Sequence, residues 1–193
     1  DGRVQRGVMP VADLATLSER SHLFWYPVEI DYSLRMYWFW HPDHENHVRT
    51  TEQLMETYYK SVGRGGGLLL GLSPDRAGRI PEFDVQRVKE WREVLETTFA
   101  QDLAQGASVN AEGDHTTGRT AMIVDGKVDT FWQAADAEPV TVTLSFEEPV
   151  TFNRVLLQEM ITEGQQVEKW RFAVKLKGRW VTFAGGGAIG HKR

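Results

Sequence analysis

Glu29 and Asp31 stand two residues apart in a run of rings and ionisable groups. Trp25, Tyr26, Tyr32, Arg35, Trp38, Phe39, Trp40 and His41 all lie between positions 25 and 41. A carboxylate held among rings loses hydration, and desolvation raises a carboxyl pKa. A carboxyl raised toward neutrality suits a general acid. Rings beside it offer flat faces on which the CH-rich side of a sugar can stack. Arg35 opens an alternative in which Glu29 is merely its ion-pair partner, holding a loop. Asp31 shares a face with Glu29 if the strand persists. The two carboxylates of a retaining glycosidase flank one bond from different elements at about 5 to 5.5 Å. Two carboxylates this close in sequence do not meet that need, so Asp31 is expected to support Glu29 or to pair with Arg35.

Three other groupings invite chemistry. His41, His44 and His47, with Asp43 and Glu45 between them, suggest a metal. Their spacing fits no helical zinc motif, and Pro42 prevents a helix through the start of the run, so a solvated loop is the expectation. Gly63-Arg64-Gly65-Gly66-Gly67 is rich enough in glycine to cradle a phosphate. It follows a helix and precedes a strand, the reverse of the phosphate-binding order, and reads as a helix C-cap and tight turn. In Val124-Asp125-Gly126-Lys127-Val128-Asp129-Thr130, the oxygens of Asp125, Asp129 and Thr130 could hold a structural calcium ion. A turn closed by its own side-chain bonds accounts for the same residues.

The elements that must position these groups follow from the apolar pattern. Leu23 to Ile30 is apolar almost throughout, as in a parallel strand buried on both faces, with Glu29 at its end. Thr50 and Gln53 form a capping box for a helix to about Ser61, with Leu54, Met55, Tyr58, Tyr59 and Val62 inward. Leu68 to Leu72 is a second buried strand. Asp84 is expected to cap a helix to about Gln105, carrying Val85, Val88, Trp91, Leu95, Phe99 and Leu103 at helical spacing. Strand, helix, strand, helix predicts a parallel α/β sheet or barrel, whose sites lie at the carboxyl ends of its strands. Beyond Gly106 the texture changes. Val140 to Phe146 and Trp170 to Lys177 alternate strictly, and Asn153 to Met160 and Arg179 to Phe183 read as further strands. That half is an antiparallel, sandwich-like domain.

Bulk composition narrows the partners. Hydrophobic residues make up 41% and charged residues 25% of the 193, as in ordinary globular proteins. The net charge of −5 argues against nucleic acid as the main partner, which needs a basic face. No apolar run reaches the length of a membrane-spanning helix. With no cysteine, disulfides and thiolate metal sites are excluded while the compartment stays open. Seven Trp, nine Phe and five Tyr are many rings for this length, although any single ring is more readily a core residue than a sugar platform. The chain opens on Asp1 and stops in what reads as the start of a strand. It is therefore expected to be a piece of a longer protein.

Residues 1–105 resemble the end of the catalytic barrel of glycoside hydrolase family 29, the α-L-fucosidases. The carriers are Trp25-x-Pro27-x-Glu29-x-Asp31-x-Ser33-x-Arg35, Trp38-Phe39-Trp40-His41, Ser61-Val62-Gly63-Arg64, and Leu68-Leu69-Leu70 leading to Ser73-Pro74-Asp75-x-x-Gly78. Residues 106–193 resemble a truncated discoidin-like (factor V/VIII type C) β-sandwich, a galactose-binding-like jelly roll. The carriers there are Ala121-x-x-x-Asp125-Gly126-x-x-x-Thr130-x-Trp132-Gln133-Ala134, Val150 to Glu159, and Gly164-Gln165. One departure is visible: the family often carries Asn near Gly66 and Gly71.

The resemblance implies an α/β segment ending a TIM-like (β/α) barrel, then an all-β sandwich. It implies retaining, exo-acting hydrolysis of terminal α-L-fucose from oligosaccharides or glycoconjugates. Glu29 takes the acid/base role, Arg35, Asp31, Trp38 and His41 contact substrate, and no cofactor is required. The nucleophile Asp lies outside this chain, so the chain alone is expected to be inactive. A bacterial periplasmic or secreted location follows from the same resemblance. The alternative is a lectin-like β-sandwich that binds carbohydrate without catalysis.

Overall fold

The computed structural model describes residues 28–44, 47–112, 119–135 and 139–193. The polar stretch 1–22, the apolar residues 23–27 and Glu45 lie outside them, so the expectations placed on Trp25, Tyr26 and Glu45 are not addressed.

In the first half, β1 (Glu29–Ser33) pairs in parallel with β2 (Gly67–Gly71), Glu29 opposite Gly67 and Ser33 opposite Gly71. A parallel pair needs a crossover, and α1 (Thr51–Lys60) supplies it. The expected capping box is present. The Thr50 hydroxyl accepts from the Gln53 backbone N–H at 3.3 Å, and Gln53 Oε1 accepts from the Thr50 N–H at 3.0 Å. At the other end the Ser61 hydroxyl donates to the Thr57 carbonyl at 2.7 Å, and a 3₁₀ turn, Val62–Arg64, leads to Gly65 at φ 77°. Gly66 is required for close approach. A Cβ there would stand 2.9 Å from Ile30 Cδ1 and 3.2 Å from the Val28 carbonyl oxygen. The glycine run is thus a cap and a tight turn.

The core is small and one-sided. Leu34, Val48 and Leu54 are buried together, with Tyr32, Leu70, Val88 and Trp91 packed against them. Val88 and Trp91 come from α2 (Glu82–Thr98). Helices cover one face of the β1–β2 pair, and the other face, carrying Glu29, Asp31 and Leu69, is exposed. The apolar runs were expected to be buried on both faces; with two strands and helices on one side, half of that burial is absent among the described residues. α2 also differs at both ends. Pro81 occupies its N-cap and Asp84 lies buried in the first turn instead of capping. The helix stops at Thr98, and Asp102 caps a separate 3₁₀ turn, Leu103–Gly106, its carboxylate accepting from the Ala104 N–H at 3.0 Å.

The second half holds two antiparallel ladders. β3 (Ser108–Ala111) pairs with β4 (Val142–Ser145). β5 (Trp170–Leu176) and β6 (Arg179–Gly186) form a hairpin. Its turn residues Lys177 (φ 49°) and Gly178 (φ 81°) both have positive φ, as two-residue hairpins prefer. Asn153 to Met160 form no strand. Their backbone bonds run from Leu157 to Arg193, twice at 2.8 Å, and from the Glu159 N–H to the Gly190 carbonyl at 3.0 Å. The order of α/β followed by β agrees with expectation. A closed barrel and a two-sheet sandwich are not seen among the described residues, which hold three two-stranded sheets.

Candidate functional site

Alternation along β1 puts Glu29 and Asp31 on one face, the exposed one. Glu29 opens the strand instead of ending it. Its α-carbon is about 13 Å from that of Ser33, four residues on at the usual rise. The ring of Trp38 lies at the Ser33 end, 3.2 Å from where a Cβ on Gly71 would stand. The Ser73 hydroxyl holds that loop by donating to the Trp38 carbonyl at 2.7 Å. Glu29 and Trp38 therefore stand at opposite ends of one strand pair. The enclosure expected to desolvate Glu29 is absent among the described residues, where Glu29 is exposed and Trp38 is 55% exposed.

Arg35 must be reassigned. It is 1% exposed. Its Nε donates to Asp84 Oδ2 at 2.9 Å, Nη2 to Asp84 Oδ1 at 2.6 Å, and Nη1 to the His44 carbonyl at 2.8 Å. Every arm of the fork is engaged inside the fold. Arg35 pairs with neither Glu29 nor Asp31 and offers no donor to a substrate. Sequence reasoning missed Asp84 as its partner; the only signal was a buried-face position for an acid in the first turn of α2.

His41 is exposed at the start of the loop that follows, with Nδ1 3.5 Å from Asp43 Oδ2. The His41 ring lies 4.6 Å from that of His44, and His44 lies 4.7 Å from His47 and 5.0 Å from Tyr37. Partial burial first, and then the neighbouring His41 and His47, hold the His44 pKa below its ordinary value. Among the described residues no cluster of three His, Asp or Glu is arranged to hold a metal ion.

Similarity to known proteins now bears on this arrangement. Residues 8–98 match the α-L-fucosidase family model, and residues 105–192 match the F5/8 type C domain. The first half belongs to the α-L-fucosidase family. Alpha-L-fucosidase 1 of Arabidopsis thaliana is 31% identical over 177 residues, 88% of this chain and 34% of that protein. The crystal structure of SpGH29 is 32% identical with a TM-score of 0.79, covering 86% of this chain and 36% of that one. A Ruminococcus gnavus GH29 fucosidase in complex with fucose is 26% identical with a TM-score of 0.76, covering 90% of this chain and 36% of that one. The chain thus spans about a third of the length of the relatives it matches.

Within this fucosidase half, Gly66 and Gly71 stand near positions where the family often carries Asn. At Gly66 a side chain would collide with Ile30, and at Gly71 it would meet the Trp38 ring. The ring fills the space that the glycine leaves.

In the F5/8 type C half, Asp125 accepts from the Lys127 N–H at 2.9 Å and from the Thr130 hydroxyl at 2.7 and 2.9 Å. The Lys127 N–H and then that hydroxyl hold its carboxyl below the usual range. The turn closes on its own side chains, and Asp129 is exposed beside it. One carboxylate already bonded to its neighbours is not a ready calcium cage, which needs six to eight oxygens.

Proposed function

We propose that this chain carries the acid/base side of a retaining, exo-acting α-L-fucosidase acting on terminal α-L-fucose of glycans. The observation that carries the reading is the likeness, over nine-tenths of the chain, to a GH29 fucosidase solved with fucose. Glu29 donates its proton to the glycosidic oxygen as the bond to fucose breaks. It then takes a proton from the water that attacks the fucosyl-enzyme. The nucleophilic carboxylate comes from chain outside these residues. Exposure of Glu29 fits such an arrangement, because a proton donor must be reachable by the leaving oxygen. Asp31 shares its face and orients it. Trp38 and His41, farther along, form a wall for sugars beyond the fucose. The reaction needs two carboxylates and water, and no cofactor.

We further place the TIM-like barrel segment at residues 1–105 and the jelly-roll sandwich at 106–193, in a periplasmic or secreted enzyme of bacterial type. Among the described residues no helix is long and apolar enough to cross a membrane. A second reading, sugar binding by the sandwich alone, draws on a cavity of about 570 Å³ lined by Arg119, Asp129, Phe131 and Trp132.

The 193-residue chain is expected to show no hydrolysis of nitrophenyl α-L-fucoside. Expressed within the longer enzyme, Glu29→Ala is expected to lower kcat on a poor leaving group by about 10²–10⁴-fold. Azide is expected to restore turnover on an activated leaving group and to give a fucosyl azide. Full activity of Glu29→Ala, or hydrolysis by the short chain that survives that substitution, would refute the assignment.

A further inference from the structure

Five of the Lys and Arg residues described are ion-paired. Arg35 pairs with Asp84, Lys60 with Glu56, Arg79 with Asp75, Arg87 with Glu90 and Arg92 with Glu96. Four of those with no carboxylate partner among the described residues gather in one place. A cleft of about 230 Å³ lies where the fucosidase half meets the F5/8 type C half. Arg64, Arg154, Lys192 and Arg193 line it, and no acidic residue does. None of the four has a carboxylate partner among the described residues. The chain as a whole carries a net charge of −5, so four cations around one cleft are a local reversal of sign.

The cleft is also built, because its two walls are tied together. Arg154 Nε donates to the Tyr59 hydroxyl at 2.9 Å, and the guanidinium lies 4.8 Å from the centre of the Tyr59 ring. Arg154 Nη1 donates to the Asn153 carbonyl at 2.8 Å, which leaves Nη2 with no partner among the described residues. The paired backbone bonds between Leu157 and Arg193 bring Lys192 to the same edge. His191 packs against Gly65, where a Cβ would stand 2.9 Å from His191 Cδ2. That contact sets the second half beside the turn that carries Arg64. The floor is aromatic: Phe99 lies 5.7 Å from Tyr58 and 6.4 Å from Tyr59.

We propose that this cleft binds a sugar bearing an oxyanion, a sulfate ester or a carboxylate, at a distance from the hydrolytic centre. Guanidinium and ammonium donors recognise the oxyanion through charge-assisted hydrogen bonds. The Tyr59 and Phe99 rings take the apolar face of the pyranose. The fucosidase reading supplies only the source of such a sugar, as a charged part of the glycan that carries fucose. Binding itself requires no catalysis, so the two readings fail separately.

Calorimetric titration of the whole chain at low ionic strength tests this with galactose 6-sulfate, glucuronic acid, galactose and sodium sulfate as probes. At least one charged sugar is expected to bind about tenfold more tightly than either galactose or free sulfate, and its identity names the oxyanion. Added salt is expected to weaken that binding and to leave any galactose binding unchanged. The double variant Arg64→Gln/Lys192→Gln, which leaves the Arg154–Tyr59 tie intact, is expected to lose about tenfold in affinity. Equal binding of galactose overturns the proposal, as does equal binding of free sulfate, salt-insensitive binding, or no binding of either charged sugar. The salt dependence of the unsubstituted chain decides the matter if the double variant does not fold.

Discussion

The two halves of this chain are held in different ways. In the fucosidase half, residues far apart in sequence close on one another in the interior: Arg35 grips Asp84, and Leu34, Val48 and Leu54 pack beneath the strand pair. In the F5/8 type C half, hydrogen bonds run along two ladders and between Leu157, Glu159 and the last residues, and apolar side chains stand open, with Trp180 60% and Phe183 67% exposed. Every buried side chain among the described residues except Ala111 lies between Ser33 and Asp84. The difference teaches that one half carries its own buried core, while the other is held among its described residues by hydrogen bonds with almost no buried side chain. It also separates two kinds of site. The Glu29 face rests on the half with a core, whereas the basic cleft needs both halves at once.

The sharpest way to break the contrast is to remove the buried acid. Asp84→Ala leaves the Arg35 guanidinium buried without its partner, and such a loss costs about 3–5 kcal/mol. The expected result is unfolding of residues 28–98, seen as lost amide protection in α1 and α2. The β5–β6 hairpin is expected to keep its protection. Replacing both partners by apolar residues, Arg35→Met with Asp84→Leu, is expected to recover most of that loss. Equal loss of protection in both halves after Asp84→Ala would mean that they share one cooperative core.

Effects of about 1 kcal/mol are expected from local changes, each confined to its own half. Thr50→Ala removes the hydroxyl that accepts from the Gln53 N–H and is expected to cost about 1 kcal/mol in α1. Gly178→Ala forces a Cβ into a left-handed turn at φ 81° and is expected to cost about 1 kcal/mol in the β5–β6 hairpin. Amide exchange measured residue by residue distinguishes them. A Thr50→Ala effect that spreads to β5, or a Gly178→Ala effect that reaches α1, would contradict the separation.

These same residues show what the sequence made legible. The capping box at Thr50 and Gln53 could be read because its partners are three positions apart, and the glycine turn after α1 because glycine there answers a local geometric need. The strictly alternating stretches became β4 and β5, again from local pattern. Arg35–Asp84 was hidden because 49 residues separate its members, and nothing in either neighbourhood specifies the other. Arg35 consequently passed for a substrate contact and Asp84 for a cap. Glu29 was expected at a strand end because the apolar run stops there. Yet ladder pairing, unlike hydropathy, continues through Asp31 to Ser33. Asn153 to Met160 read as a strand because its composition is strand-like, while its backbone bonds go to the last residues of the chain. β3 escaped notice because four residues are too few to show a period.

The smallest expected effect is one of pH, and it distinguishes the halves by the region of the scale where each responds. Partial burial and the nearby His41 and His47 disfavour the charged form of His44, with Arg35 adding to them and Asp43 opposing. A histidine whose folded pKa lies below its unfolded value, about 6.5, binds fewer protons in the folded state. Its contribution is therefore fully present above that value and is lost as pH falls through the depressed folded pKa. In the second half Asp125 is likewise held low, by the Lys127 N–H and the Thr130 hydroxyl, but from the ordinary carboxylate range. Its contribution persists until pH falls below that range. Between about pH 7.5 and 5.5, stability of the first half is thus expected to fall slightly while the second half stays level. His44→Gln is expected to flatten the first-half slope, and Asp125→Asn is expected to change nothing in that window. Melting followed by exchange at reporter amides in α1 and in the Asp125 turn measures both. A slope in the first half that His44→Gln leaves untouched would show that another group governs it.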